Sequence, residues 1–168
     1  MSVEPNFDIG SVGPRIAEAR QKFIGEILRK RAHLTPDRPA LEWGQEVWSF
    51  AELNDEVNRL ANNLRAIGVK RGERVAILCQ NRAECVHLLY AAARIGAIVA
   101  FLNWRYTENE LREAIDVITP ETIVVSGEYA NRMLSVLKKL PYAQRLIFLD
   151  ESREPDVDVY TTSYQTLV

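Results

Sequence analysis

Few of the 168 residues are of a type that carries chemistry by itself, and their spacing narrows the choice further. The two histidines, His33 and His87, are far apart, and neither has a Ser or Cys placed beside it as a nucleophile. His87 falls inside an apolar helical stretch, where a hydrogen-bonded histidine of the core or layer boundary is expected. Cys79 and Cys85 lack the CxxC or zinc-ribbon spacing and have no His cluster, so they read as reduced core thiols. Reduced thiols suit a cytoplasmic protein. Asp150 and Glu151 follow an apolar run and would stand at the carboxyl end of a strand, where α/β proteins often bind ligands. The same pair could simply solvate a loop. No GxxxxGK[ST], GxGxxG or GxSxG occurs, which argues against a P-loop NTPase, a dinucleotide dehydrogenase and an α/β-hydrolase. No catalytic residue and no metal-ligating set can be picked out.

Composition narrows the partners. Apolar residues are 47% and charged residues 26% of the chain, ordinary values for a soluble globular protein. A formal net charge of −2 argues against a nucleic-acid partner held by bulk electrostatics. The short basic run Arg29-Lys30-Arg31 fits a solvated helix end. The N-terminus has no basic-then-apolar leader, so no secretory signal is expected. The most apolar stretch, Val86 to Leu102, carries Arg94 and breaks at Gly96. It is read as a buried helix, a turn and a buried strand rather than a transmembrane segment.

The elements that must position these residues follow from periodicity. Residues 1–14 have little pattern and read as a flexible arm. From Arg15 the spacing is helical, with Ile16, Phe23, Ile24, Ile27 and Leu28 on one face, ending at Thr35-Pro36. Residues 40–43 and 46–49 flank Gly44-Gln45 as a small hairpin. Ser49 with Glu52 forms a capping box for a long helix with Leu53, Val57, Leu60, Ala61, Leu64 and Ile67 on its apolar stripe, closed by Gly68. Strands are expected at Arg74–Cys79, Ala97–Leu102, Thr122–Val125 and Arg145–Leu149. The helices between them are capped by Asn81, with Glu84 at the box position, and by Thr107 with Glu110; a third runs from Glu128 to Leu140. The helix after Asn81 is apolar almost all round, so it should lie between two layers. Apolar strands alternating with helices imply an α/β fold, a parallel sheet with helices on both faces.

Five phrases, in order and correctly spaced from about Lys22 to Leu149, resemble the adenylate-forming superfamily of acyl-CoA synthetases, aryl-CoA ligases, luciferases and peptide-synthetase adenylation domains. They are Thr35-Pro-Asp-Arg-Pro-Ala-Leu41, Trp48-Ser-Phe-Ala-Glu-Leu-Asn54, Ala61 through Ile77 with its Gly-Val-Lys-Arg-Gly-Glu-Arg-Val-Ala core, Ala91 through Asn103, and Tyr106-Thr-Glu-Asn-Glu-Leu111. One departure is Phe101, which stands where the family usually has proline.

The resemblance implies residues 15–168 as the first part of the large N-terminal domain of an AMP-forming acyl-CoA synthetase. The complete enzyme would join a carboxylic acid, fatty or aromatic, to AMP and pass the acyl group to CoA, using ATP, Mg2+ and CoA. The family's phosphate loop, adenine motif, ribose-binding aspartate and catalytic lysine match no position here, so the chain alone is expected to be inactive and to bind no cofactor tightly. One residue carries over: in Leu102-Asn103-Trp104-Arg105, similar to the "LNxR" of acyl- and aryl-CoA ligases, the resemblance gives Arg105 a contact with the CoA phosphates. The alternative for Arg105 is a salt bridge on the loop surface, and Asn103 is expected to shape the turn before Thr107. Some long-chain members cross an N-terminal segment to a second subunit, which suggests a homodimer. The rival reading is a stand-alone α/β binding or assembly module without enzymatic activity.

Overall fold

The computed structural model describes residues 23–138, 140–150 and 158–168. The chain enters through helix α1 (Ile24–Leu34), a hairpin of β1 (Pro39–Trp43) and β2 (Glu46–Ser49), and helix α2 (Phe50–Ala66). Then come β3 (Arg74–Leu78), α3 (Ala83–Ile95), β4 (Ile98–Phe101), α4 (Glu108–Ile118) and β5 (Thr122–Val125). A short 3-10 turn (Gly127–Tyr129) leads into α5 (Ala130–Leu137), followed by β6 (Arg145–Phe148), β7 (Tyr160–Ser163) and α6 (Tyr164–Leu167).

Strands β3 to β7 form one sheet in the order β4-β3-β5-β6-β7, and every pairing is parallel. The apolar strands explain themselves once the sheet has two covered faces. Val75, Ile77, Val124 and Ile147 point into a core shared with α1, α2, α3 and α6. Their neighbours Ala76, Leu78, Ile123, Val125, Leu146 and Phe148 point into a second core with α4 and α5. Successive side chains alternate faces, so a strand buried on both must be apolar throughout. The α2 stripe Leu53, Val57, Leu60, Ala61 and Leu64 is buried in the first core as its spacing requires.

Local signals set most of the ends. Both capping boxes form: Ser49 with Glu52, and Thr107 with Glu110. The hairpin turns at Gly44 (φ 63°) and pairs antiparallel. Helix α3 lies between the sheet and the α1–α2 layer, with His87, Leu88, Ala91, Ala92 and Ile95 buried. Gly25 lets α1 approach it closely, since a Cβ there would stand 3.0 Å from the Arg94 Cα.

Five expectations are corrected. Asn81 does not cap α3. The N-cap is Arg82, without a side-chain cap, and Glu84 turns to the Arg82 guanidinium instead of the backbone. The stripe on α1 is not one buried face: Leu28 is buried, whereas Phe23 (69%), Ile24 (53%) and Ile27 (49%) are exposed. Gly25 and Leu28 are the residues of α1 that are buried, because α1 is the outermost layer. Strand β4 is an edge strand, which leaves Ile98 and Phe101 more than half exposed despite their apolar run. The helix expected over 128–140 begins as the 3-10 turn and is α-helical only over Ala130–Leu137. Finally, a fifth parallel strand, β7, lies in a stretch too polar to announce itself. The arm at residues 1–14, and residues 15–22 of the first predicted helix, lie outside the described residues.

Candidate functional site

In a parallel sheet the loops leaving the carboxyl ends of the strands define the edge where ligands gather, most of all where the chain reverses its direction of winding. Here that point lies between β3 and β5. From β3 the chain moves outward to β4, then returns across β3 to add β5, β6 and β7 on the other side. The loops Cys79–Arg82 and Ser126–Tyr129 therefore flank the crevice.

Side chains stitch these loops together. Gln80 donates to Glu128 (3.1 Å) and to the Tyr129 hydroxyl (2.9 Å). Arg82 pairs with Glu84 (2.6 Å) and Asp150 (2.9 Å), and Asp150 also accepts from the Gly127 N–H (2.6 Å). Asp150 thus ties β6 to both loops. Burial pushes its carboxyl up, but the Gly127 N–H and the Arg82 guanidinium outweigh that and hold it below the usual carboxylate value. This is a positioning role, and it gives Asp150 a task beyond solvating a loop. Glu151 lies outside the described residues. The Ser126 hydroxyl is buried at the same edge with no hydrogen-bond partner.

Arg105 stands on the loop after β4. It is exposed, and its guanidinium lies 4.2 Å from the Trp104 ring centroid. Among the described residues no carboxylate pairs with it. The loop beneath is built. Asn103 accepts from the Arg105 backbone N–H through its side chain (3.0 Å) and from the Tyr106 N–H through its carbonyl (3.0 Å), the turn expected of it. Arg132 donates to the Trp104 and Tyr106 carbonyls (2.9 and 2.6 Å), and Trp104 leans on Tyr129. A fork-shaped cation over an indole, with no carboxylate partner among the described residues, is suited to a phosphate.

A second concavity, about 610 Å³, opens beside α3 between Trp43, Trp48, Gln80, Arg82, His87 and Tyr164. His87 Nδ1 is 2.7 Å from the Tyr164 hydroxyl, Trp48 meets the imidazole edge-on, and Nε2 has no partner. Burial lowers the His87 pKa, opposed by Glu56 and then by Glu84 and Glu46, so the ring is neutral near pH 7. His87 is thus the hydrogen-bonded layer-boundary histidine its setting suggested, with one nitrogen unused. No sequence signal could have found Tyr164 as its partner, because the contact spans 77 positions. Among the described residues no three His, Cys, Asp or Glu side chains converge as metal ligands, and no helix is long and apolar enough to cross a membrane.

Comparison with known proteins agrees with this architecture. The family model of the AMP-binding enzymes matches residues 28–165. A medium/long-chain-fatty-acid–CoA/3-oxocholest-4-en-26-oate–CoA ligase of Mycobacterium tuberculosis is 31% identical over 137 residues, covering 82% of this chain and 25% of that protein. A 2-succinylbenzoate–CoA ligase of Bacillus cereus is 39% identical over 109 residues, covering 65% of this chain and 23% of its own length. A solved structure from Rhodopseudomonas palustris, described as a long-chain-fatty-acid CoA ligase, superposes with a TM-score of 0.80 at 27% identity, over 87% of this chain and 36% of that one. The chain spans about a quarter of the length of the curated relatives it matches. It belongs to the AMP-binding enzymes, the adenylate-forming superfamily that includes the acyl- and aryl-CoA ligases.

Proposed function

We propose that this chain, over residues 15–168, is the first part of the N-terminal domain of an ATP-dependent, AMP-forming acyl-CoA synthetase. The complete enzyme activates a carboxylic acid as its acyl-AMP with release of pyrophosphate, then transfers the acyl group to CoA. The observation that carries this reading is the family match over residues 28–165, joined to a parallel sheet whose carboxyl edge presents a free, stacked Arg105. The named substrates of the relatives support a fatty or aromatic acid. The reduced thiols Cys79 and Cys85 support a cytoplasmic location.

The residues present fit part of the cofactor set. Arg105 would take the CoA phosphates, for which its open guanidinium is suited. Mg2+ and the ATP phosphates fit less well: Asp150, Glu84 and Glu128 are already engaged by Arg82, the Gly127 N–H and Gln80. No Ser/Thr/Gly-rich phosphate loop occurs in the sequence. The 168-residue chain is therefore scaffold, and adenylation draws on other segments. ATP–pyrophosphate exchange with a panel of fatty and aromatic acids tests this. The full-length protein exchanges and the 168-residue chain does not. Exchange by the purified chain itself, or no thioester from the full-length protein with any acid, overturns the proposal, the latter in favour of a non-enzymatic module.

The exposed α1 face, Phe23, Ile24, Ile27 and Leu34, favours one further element of the reading. It pairs with its own copy in a two-fold homodimer, the commonest form of oligomer. Light scattering of the full-length protein at high concentration gives a dimer, and Ile24→Glu with Ile27→Glu gives monomer. A wild-type monomer contradicts the pairing.

A further inference from the structure

Cys79 and Cys85 are the reduced core thiols expected, and their placement gives them a further property. Cys79 ends β3 and Cys85 sits in the first turn of α3, with their sulfurs 3.1 Å apart and both free. A disulfide needs sulfurs at about 2.05 Å, so closure asks for a shift of only about 1 Å. The two thiols also differ. Cys79 is buried at 8% exposure, whereas Cys85 is half-buried. Cys85 lies in the first turn of a 13-residue helix, where the helix dipole favours an anion.

We propose that Cys79 and Cys85 form a peroxide-reactive dithiol in which Cys85 is the nucleophile and Cys79 the resolving thiol. The Cys85 thiolate attacks one oxygen of a hydroperoxide, the O–O bond breaks, and the remaining alkoxide or hydroxide leaves with a proton. Cys85 is then a sulfenic acid, oxidised by two electrons. Cys79 attacks the Cys85 sulfur, the S–S bond forms, the S–O bond breaks, and water leaves with the Cys79 proton. Two thiols and one hydroperoxide give one disulfide, one alcohol or water, and one water.

The groups around the pair agree with that division of labour. The hydrogen bond from the Cys79 thiol is the main cause holding the Cys85 thiol down at about 7, against burial; the Arg82 backbone N–H beside the Cys85 sulfur and the Arg82 charge lower it too, and Glu84 opposes them. The same shared proton, with burial, pushes Cys79 up. With Cys79 donating to it, the Cys85 sulfur has the Gln80 carbonyl, at 3.7 Å, as its own acceptor, so ionisation forfeits little. The bond would staple the end of β3 to α3 and close the loop that carries Gln80 and Arg82. Oxidation thereby acts on the two side chains that stitch the crevice to Glu128 and Asp150.

Exposing the full-length reduced protein to one equivalent of hydrogen peroxide, then blocking free thiols and mapping peptides, tests this directly. The expected product is a Cys79–Cys85 linked peptide lacking two hydrogens, within one chain. Cys79→Ser should instead stop at a Cys85 sulfenic acid that dimedone traps, and Cys85→Ser should leave Cys79 unmodified. Disulfides between chains, sulfinic acid at Cys85 of the wild type with Cys79 still free, or first modification at Cys79 would each overturn it.

Discussion

The two edges of the parallel sheet use the same residue types to opposite ends. At the amino edge two arginines, Arg145 and Arg74, are tied down on several sides. Arg145, 7% exposed, makes five contacts with its five N–H groups: the Ile67 and Gly68 carbonyls (2.9 and 2.6 Å), Glu73 (2.9 Å), Thr122 (3.3 Å) and Gln144 (3.4 Å). Two of those acceptors are the carbonyls that end α2, so one guanidinium closes a helix and pins it to β6. Arg74 and Glu121 repeat the arrangement, joined side chain to side chain (2.6 Å) and through the Arg74 N–H (2.7 Å). At the carboxyl edge the accounts stay open. Among the described residues Ser126 Oγ and His87 Nε2 are buried without hydrogen-bond partners, and the exposed Arg105 guanidinium lies over Trp104 with no carboxylate beside it. A saturated network fixes geometry, while an unsaturated one retains capacity for something else. That contrast, more than any single residue, is what supports the carboxyl edge as the proposed ligand edge.

The sharpest way to break the comparison is to cut one arginine at each edge. Arg145→Ala removes a buried guanidinium, leaves the half-buried Glu73 without it and strands two helix-end carbonyls, so it should cost about 3–5 kcal/mol in urea unfolding. Arg82→Ala, at a quarter-exposed site with its carboxylates near water, should cost roughly 1 kcal/mol. Equal losses would erase the distinction between the edges. An intermediate effect concerns pH. The folded protein depresses the His87 pKa through burial, so below about 6.5 the unfolded chain binds the proton that the native state resists. Stability contributed at neutral pH is therefore lost as pH falls through that value, and His87→Gln should flatten this part of the profile in thermal melts from pH 7.5 to 5. The smallest effect sharpens the comparison. Ser126→Ala deletes an oxygen that has no partner and should change stability by less than about 0.5 kcal/mol, or raise it. A loss of about 2 kcal/mol would show that the hydroxyl is engaged.

The sequence made the scaffold far more legible than the site. Four of the five parallel strands, the hairpin and both capping boxes were visible because each rests on local periodicity or on a pair three residues apart, as in Ser49 with Glu52. β7 was hidden because Tyr-Thr-Thr-Ser lies at a sheet edge and need not be apolar. The α1 stripe misled because spacing shows that a face exists without showing what covers it. Arg82 with Asp150 and His87 with Tyr164 join positions 68 and 77 apart, and nothing in either neighbourhood predicts the other. The proximity of Cys79 to Cys85 could have been suspected from one strand end and one helix start six residues apart, yet only coordinates place the sulfurs together.

The central claim is that the carboxyl edge of this sheet meets CoA through Arg105. The most direct measurement is the full-length ligase carrying Arg105→Ala, with its two half-reactions assayed separately. Losing a charge-assisted contact to phosphate should raise the KM for CoA about tenfold or more, while ATP–pyrophosphate exchange stays within about twofold of the wild type. An equal loss in both half-reactions, or an unchanged KM for CoA, would contradict the account.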